Sequence, residues 1–198
     1  DGHFFYSTDM GENFIETSNF SGPESHYFYG STILPSPVNQ QRLYIGGSGY
    51  SNPAIYLSED GGESFSAFDE GLPNTLVYEL ASLPDESIIF AATELGPYAY
   101  SFEQGIWEDM SGDDAPDQVY WSVEYIHEIR TVRFGTYGRG IWDFTFDYNP
   151  VLIIGDLNQD EMVNLEDLLI LLGIIISDQN IEEQILNSGD LNYDGILD

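Results

Sequence analysis

Asp156-Leu157-Asn158-Gln159-Asp160-Glu161-Met162-Val163-Asn164-Leu165-Glu166-Asp167 places side-chain oxygens at positions 1, 3, 5, 9 and 12 of a twelve-residue loop. An apolar residue, Val163, sits at position 8, and a helix-like run follows. This spacing lets one short segment wrap a hard cation with carboxylates, amide oxygens and the Met162 backbone carbonyl, which is the donor set that Ca2+ prefers. The pattern restarts at Asp190-Leu191-Asn192-Tyr193-Asp194-Gly195-Ile196-Leu197-Asp198, where the chain stops at loop position 9. A glycine, Gly155 or Gly189, precedes each copy.

The elements that must hold the first loop are local. Leu165–Ile176 is predicted to be a helix, with Asn164 as its N-cap and Glu166 and Asp167 in its first turn, where acidic groups suit the helix dipole. Ile181–Leu186 is predicted as a second, shorter helix. The longest apolar run, Leu168–Ile176, is too short to span a bilayer.

The charge limits the partners. There are 35 acidic residues against four basic ones, and the formal net charge is −31. All four basic residues are arginines: Arg42, Arg130, Arg133 and Arg139. Such a chain is repelled by nucleic acid and by anionic membrane surfaces, and it is compatible with divalent cations, a salty environment or basic partners. Cysteine is absent, which removes disulfides, thiol nucleophiles and thiolate metal sites. Asp1-Gly2-His3 runs straight into a strand, so the chain reads as a fragment of a longer protein.

Before residue 150 the composition is different. Aromatics make up 15 % of the chain, with 14 Tyr and 12 Phe, and all but Tyr193 lie before Val151; this favours β-structure. Ala54–Phe68 reads as strand, polar turn and return strand, with Asp60-Gly61-Gly62 supplying the turn. Ser7-Thr8-Asp9-Met10-Gly11-Glu12-Asn13-Phe14 matches Ser58-Glu59-Asp60-Gly61-Gly62-Glu63-Ser64-Phe65 at Ser, Asp, Gly and the aromatic. Ser101–Trp107 is a shorter version with Glu103 in place of Asp. Strands at Ser31–Leu34, Arg42–Ile45, Ala54–Leu57 and Phe65–Phe68 form one four-stranded cycle. A second runs from Val77 to Met110, and a third from Val119 to Phe146. A cycle of four strands in about 40 residues is a propeller blade. The fold class is therefore mainly β: a partial propeller of about three and a half blades of four-stranded antiparallel sheet, with a small α-helical module after it. The predicted domains are the propeller fragment at 1–149, a linker at 150–154 and the cation-binding module at 155–198.

The Ser7 and Ser58 turns resemble Asp-boxes, the Ser-x-Asp-x-Gly-x-x-aromatic hairpins of BNR-repeat propellers, a group that takes in sialidases, sortilin-like (Vps10) domains and xyloglucan-degrading glycosidases. Phe134-Gly135-Thr136-Tyr137-Gly138-Arg139-Gly140-Ile141-Trp142 resembles the last-blade segment of sortilin-like bacterial surface proteins. In physical terms the turn is a structural device: the Asp carboxylate and Ser hydroxyl bond turn N–H groups, and the aromatic packs between layers. The tail resembles a type I dockerin, an EF-hand-like module that binds cohesins through calcium. That resemblance implies Ca2+ ligands at Asp156, Asn158, Asp160, Met162 (backbone), Asn164 and Asp167, and at Asp190, Asn192, Asp194, Ile196 (backbone) and Asp198. It departs from the family at Glu161, where glycine normally eases the turn, at Leu165-Glu166 in place of a Ser-Thr pair, and at the truncated second loop.

No catalytic set stands out. Three converging guanidinium groups are not specified, and His3, His26 and His127 are scattered. With so many acidic residues, a glycosidase-like carboxylate pair has no diagnostic value. Trp107, Trp121 and Trp142 are expected in blade cores, with a sugar-binding face as the alternative, and Arg139 is expected at a hairpin tip. The leading functional expectation is an extracellular or cell-surface interaction propeller, attached to a cohesin-like protein partner by its calcium tail. The alternative is a polysaccharide-acting glycoside hydrolase of BNR-repeat type, with a glycan as its ligand. Calcium is expected to raise helix content and melting temperature, with EDTA reversing both; calorimetry showing no calcium binding at about millimolar levels would overturn the ligand assignment.

Overall fold

A computed structural model describes residues 3–17, 28–50, 52–113, 115–145, 155–158 and 163–177. The chain divides into two compact units, 1–126 with 131–146 and 127–130 with 147–198. The expected linker at 150–154 and the second tail helix lie outside the described residues.

The first unit is built of antiparallel sheets. β1 (Phe5–Tyr6) and β2 (Ile15–Glu16) form a two-stranded sheet. β3 (Gly30–Pro35), β4 (Leu43–Gly47), β5 (Ile55–Ser58) and β6 (Ser66–Ala67) form a four-stranded sheet in chain order. β7 (Val77–Ser82), β8 (Ile88–Thr93), β9 (Pro97–Ser101) and β10 (Ile106–Asp109) form a second one. β11 (Tyr120–Ile126), β12 (Thr131–Thr136) and β13 (Ile141–Thr145) form a three-stranded sheet. The predicted blade pattern is thus met by two full sheets, a three-stranded sheet and a hairpin.

The two four-stranded sheets pack face to face through Tyr44, Ile55, Val77, Leu80, Ile89, Tyr98 and Trp107. These strands read as near-continuous apolar runs because both of their faces are covered; Ile89, Phe90, Ala91 and Ala92 are all fully buried. Trp107 is buried, and its indole N–H donates to the Phe68 carbonyl at 2.8 Å. The loop joining the sheets lies directly on Trp107. Gly71 has φ +90°, and a Cβ there would meet the Trp107 carbonyl oxygen at 2.4 Å, so only glycine fits.

β3, β7 and β11 start at one end of their sheets, here called the upper end. Their sheets present the β4–β5, β8–β9 and β12–β13 loops there, and the β5–β6, β7–β8 and β9–β10 turns at the lower end. The lower end is where the repeated turns do structural work. Ser58 Oγ donates to Asp60 Oδ1 at 2.8 Å and accepts the Gly62 N–H at 2.9 Å, while Asp60 Oδ1 accepts the Ser64 N–H at 2.9 Å. The hairpin joining β1 to β2 repeats this bond for bond, at 2.8, 2.8 and 2.9 Å for Ser7–Asp9, Gly11–Ser7 and Asn13–Asp9. At Ser101 only the hydroxyl bond to the Glu103 N–H survives, at 3.3 Å, and the backbone closes the turn. The packing role expected of the aromatic holds for Phe65, which is buried and edge-on to Phe4 at 4.8 Å. It fails for Phe14, which is 67 % exposed, because no described strand lies over the β1–β2 hairpin on that side.

An ion pair ties the two full sheets together at the same end. Glu86 is buried, with φ +61°, and accepts Tyr44 Oη at 2.8 Å and Arg42 Nη1 at 2.9 Å. Arg42 also reaches Glu59 at 2.9 Å and lies 5.8 Å above the Phe102 ring. A non-glycine residue in left-handed backbone persists only when its surroundings hold it there, and three partnered groups do so here.

Two outcomes are expected. Glu86→Ala leaves the Tyr44 hydroxyl unmatched and the half-buried Arg42 charge with Glu59 alone, and should cost about 2–3 kcal/mol in denaturant unfolding, below the full buried-pair loss because Arg42 keeps Glu59 and some water; an unchanged midpoint would contradict the clamp. Bonds from the Asn13 side chain and backbone and from Ser7 hold the Asp9 carboxyl down to about 2, and the Ser64 hydroxyl leads the lowering at Asp60. A depressed carboxylate stabilises the fold above its unfolded value of about 3.9, and that contribution fades as pH falls through the folded value. Stability should therefore drop between about pH 4 and pH 2, and the NMR titration of Asp9 should have its midpoint near the lower limit; an ordinary midpoint near 4 would remove the turn bonds from solution.

Candidate functional site

The upper end carries an aromatic surface that follows from one backbone irregularity repeated three times. The register slips between Gly30 and Thr32, between Val77 and Glu79, and between Tyr120 and Ser122. Each slip leaves one extra residue near the start of an inner strand: Ser31, Tyr78 and Trp121. A bulge redirects the side chain it carries. Ser31 remains exposed, and its hydroxyl is within hydrogen-bond reach of the Gly46 carbonyl at 3.1 Å and of that of Val77. Tyr78 and Trp121 stack on one another with centroids 5.5 Å apart and planes 7° from parallel. Trp121 stacks again on Tyr137, at 5.6 Å and 18°.

The result is a column of three rings. Trp121 is 55 % exposed and Tyr137 72 %. Trp121 and Tyr137 are thus the two well-exposed rings of the stack. Nearby on the same end, Tyr50 Oη bonds to Glu94 Oε2, and that bond pushes the Tyr50 phenol up to about 12. Burial first, then the Glu94 charge, raises Tyr78. Both phenols stay protonated at neutral pH and present polar edges.

Beside the column, a pocket of about 250 Å³ is lined by Glu79, Ser122, Glu124, Arg133, Gly135 and Ile141. Two of its charged groups are already engaged. Glu79 Oε2 accepts the Val123 N–H at 2.9 Å, and Arg133 grips Asp143 through two bonds of 2.7 Å. The arginines do not converge: Arg42 serves the lower end, Arg133 pairs across strands, and Arg139 stands at the tip of the β12–β13 hairpin. Trp107 is a core residue as expected, whereas Trp121 is on the surface. Tyr120 is buried and Trp121 is not, and the one-residue bulge at Trp121 separates the two neighbours.

Of the residues expected to bind calcium, Asp156, Asn158, Asn164 and Asp167 are described; Asp160, Met162 and the whole second set, Asp190 to Asp198, lie outside the described residues. The helix α1 runs Leu165–Ser177. Its N-cap is reciprocal: Asn164 Oδ1 accepts the Glu166 N–H at 2.7 Å, and Asp167 Oδ2 accepts the Asn164 N–H at 2.7 Å. Asp167 Oδ1 also accepts the Leu157 N–H at 2.8 Å and the Asn158 N–H at 3.3 Å. Burial alone would raise the Asp167 carboxyl, but these amide bonds outweigh it and hold it low. Asp156 and Asp167 are both buried. Among the described residues, no three acidic or histidine side chains gather into a metal cluster. Three amide bonds leave part of the carboxylate's acceptor capacity, about four sites, unused.

No protein-family model and no curated protein matches the chain. Solved structures do. An ancestral GH74 enzyme matches with TM-score 0.61 and 17 % identity, over 76 % of this chain and 21 % of its own. The GH74 xyloglucanase from Xanthomonas campestris matches with TM-score 0.58 and 14 % identity, over 73 % of this chain and 26 % of its own. The chain thus spans about a quarter or less of the length of these structures. At such identities the likeness shows the fold: the sheets are part of a propeller-type architecture.

Proposed function

We propose that this chain belongs to an exported, carbohydrate-directed propeller protein of glycoside hydrolase type, and that the upper end of its sheets binds a glycan. The observation that carries this reading is the Tyr78–Trp121–Tyr137 column, a large apolar surface left in water at the sheet end that the structural turns do not use. Clustered exposed aromatic rings are a recurrent mark of ligand sites. Flat aromatic rings with polar rims suit the apolar C–H faces and hydroxyl edges of pyranoses. The GH74 structures of like fold, one of them a xyloglucanase, support the substrate class. Hydrolysis is a property proposed for the whole protein; the part proposed for this chain is binding surface.

The calcium tail is a second, compatible element of the proposal. It is supported by the loop spacing and by Asp167, whose carboxylate joins the loop entry at Leu157 and Asn158 to the start of α1. A cation held by Asp156, Asn158, Asp160, Met162, Asn164 and Asp167 would supply charge neutralisation and a fixed loop, through which the tail attaches to a protein partner. The test of the glycan reading is affinity electrophoresis of the full chain through gels containing soluble xyloglucan or another neutral polysaccharide. Retardation is expected, with at least a tenfold weaker interaction for Trp121→Ala, about 1.4 kcal/mol. Unretarded migration in every neutral glycan would overturn it.

A further inference from the structure

The β12–β13 hairpin tip is the segment of the upper end whose construction goes beyond what folding needs. Thr136 organises it: its N–H and hydroxyl both donate to the Gly140 carbonyl, at 3.0 and 2.7 Å, and its hydroxyl accepts the Arg139 N–H at 3.1 Å. The Gly138 N–H bonds to the Thr136 carbonyl at 3.0 Å, and Trp142 Nε1 donates to the Arg139 carbonyl at 3.3 Å. Gly138 and Gly140 take φ of +90° and +82°, which side chains disfavour. The Tyr137 N–H is anchored to the Val119 carbonyl at 3.0 Å. Backbone and ring are therefore fixed before any ligand arrives, which removes an ordering cost from binding.

What this tip presents is an exposed aromatic ring and an exposed cation. Tyr137 stacks on Trp121 and is 72 % exposed. Arg139 is exposed and forms no ion pair among the described residues, whereas Arg42 and Arg133 each hold carboxylates. In a chain of net charge −31, a guanidinium that pairs with no carboxylate among the described residues, two positions from an exposed ring, is unexpected for a purely structural turn.

We infer that Tyr137 and Arg139 form a subsite for an uncharged pyranose of a neutral polysaccharide. The sugar's apolar face lies on the Tyr137 ring, and Arg139 donates to its hydroxyls. Trp121 and Thr136 are positioning residues. The ligand is assigned as neutral because one guanidinium does not offset the surrounding acidic field, with Glu94, Glu79 and Glu124 all at or beside this end. The inference rests on the glycan-binding reading above and specifies its sugar-contacting group.

The test compares the full chain with Tyr137→Phe, Tyr137→Ala, Arg139→Met and Trp121→Ala in titrations with xyloglucan oligosaccharides and with polygalacturonate oligosaccharides, each variant first checked by thermal melting. The expected result is binding of the neutral glycan, retained by Tyr137→Phe, weakened at least tenfold by Tyr137→Ala and severalfold by Arg139→Met, with little binding of the polyuronate. Because both residues are exposed, melting temperatures should stay near that of the parent. If Trp121→Ala loses binding while Tyr137→Ala and Arg139→Met do not, the column binds glycan elsewhere and the inference falls alone. Preference for the polyuronate, lost with Arg139→Met, overturns the neutral assignment. Absence of binding to either glycan overturns both the inference and the reading beneath it.

Discussion

The contact on which the first unit depends is the seating of Trp107 beneath the loop that joins the two full sheets. A four-stranded sheet with two apolar faces cannot stand alone in water, so one face must be closed by the next sheet. Trp107 closes it with a large buried ring, and its indole N–H is satisfied by the Phe68 carbonyl. The connecting loop lies on the Trp107 backbone so closely that residue 71 has no space for a side chain. Sheet order, sheet spacing and the alignment of β3 with β7 follow from this packing, together with the Gly49–Thr75 backbone bond beside it.

That alignment divides labour between the two ends of the sheets. At the lower end polar groups are consumed in holding turns: Ser58 and Asp60 bond turn amides, and Arg42, Glu59, Glu86 and Tyr44 bond each other. Nothing with free chemistry remains there among these residues. At the upper end the bulges release Tyr78 and Trp121 from the sheet faces, and the β12–β13 hairpin adds Tyr137. The same alternation of strand direction that builds the blades thus separates the structural carboxylates from the exposed rings.

The tail follows a different logic. Its helix begins where a reciprocal cap forms between Asn164 and Asp167, and Asp167 is at the same time the residue that draws in the loop entry. One carboxylate serves the helix start and the loop together. That coupling ties the loop entry to the helix start through local bonds.

Much of this was legible in the chain. The Ser-x-Asp-x-Gly repeats fixed the strand phase, since the hydroxyl and carboxylate need those spacings to reach the turn amides, and they formed the same bonds in both copies. The helix start at Leu165 was read from Asn164 and the acids after it, because capping is a contact between near neighbours. Trp121 was not read correctly: whether an aromatic in a strand is core or surface depends on a one-residue bulge, and bulges arise from how adjacent strands meet. Glu86 was likewise invisible as a clamp, because Arg42 and Tyr44 lie far from it in the chain. Sequence alone determined what short-range bonds determine: turns, strand phase and the helix cap. Only the tertiary structure decided which of many aromatics and charges are spent on packing and which, at Trp121, Tyr137 and Arg139, are left facing water, because that depends on which sheets lie against each other.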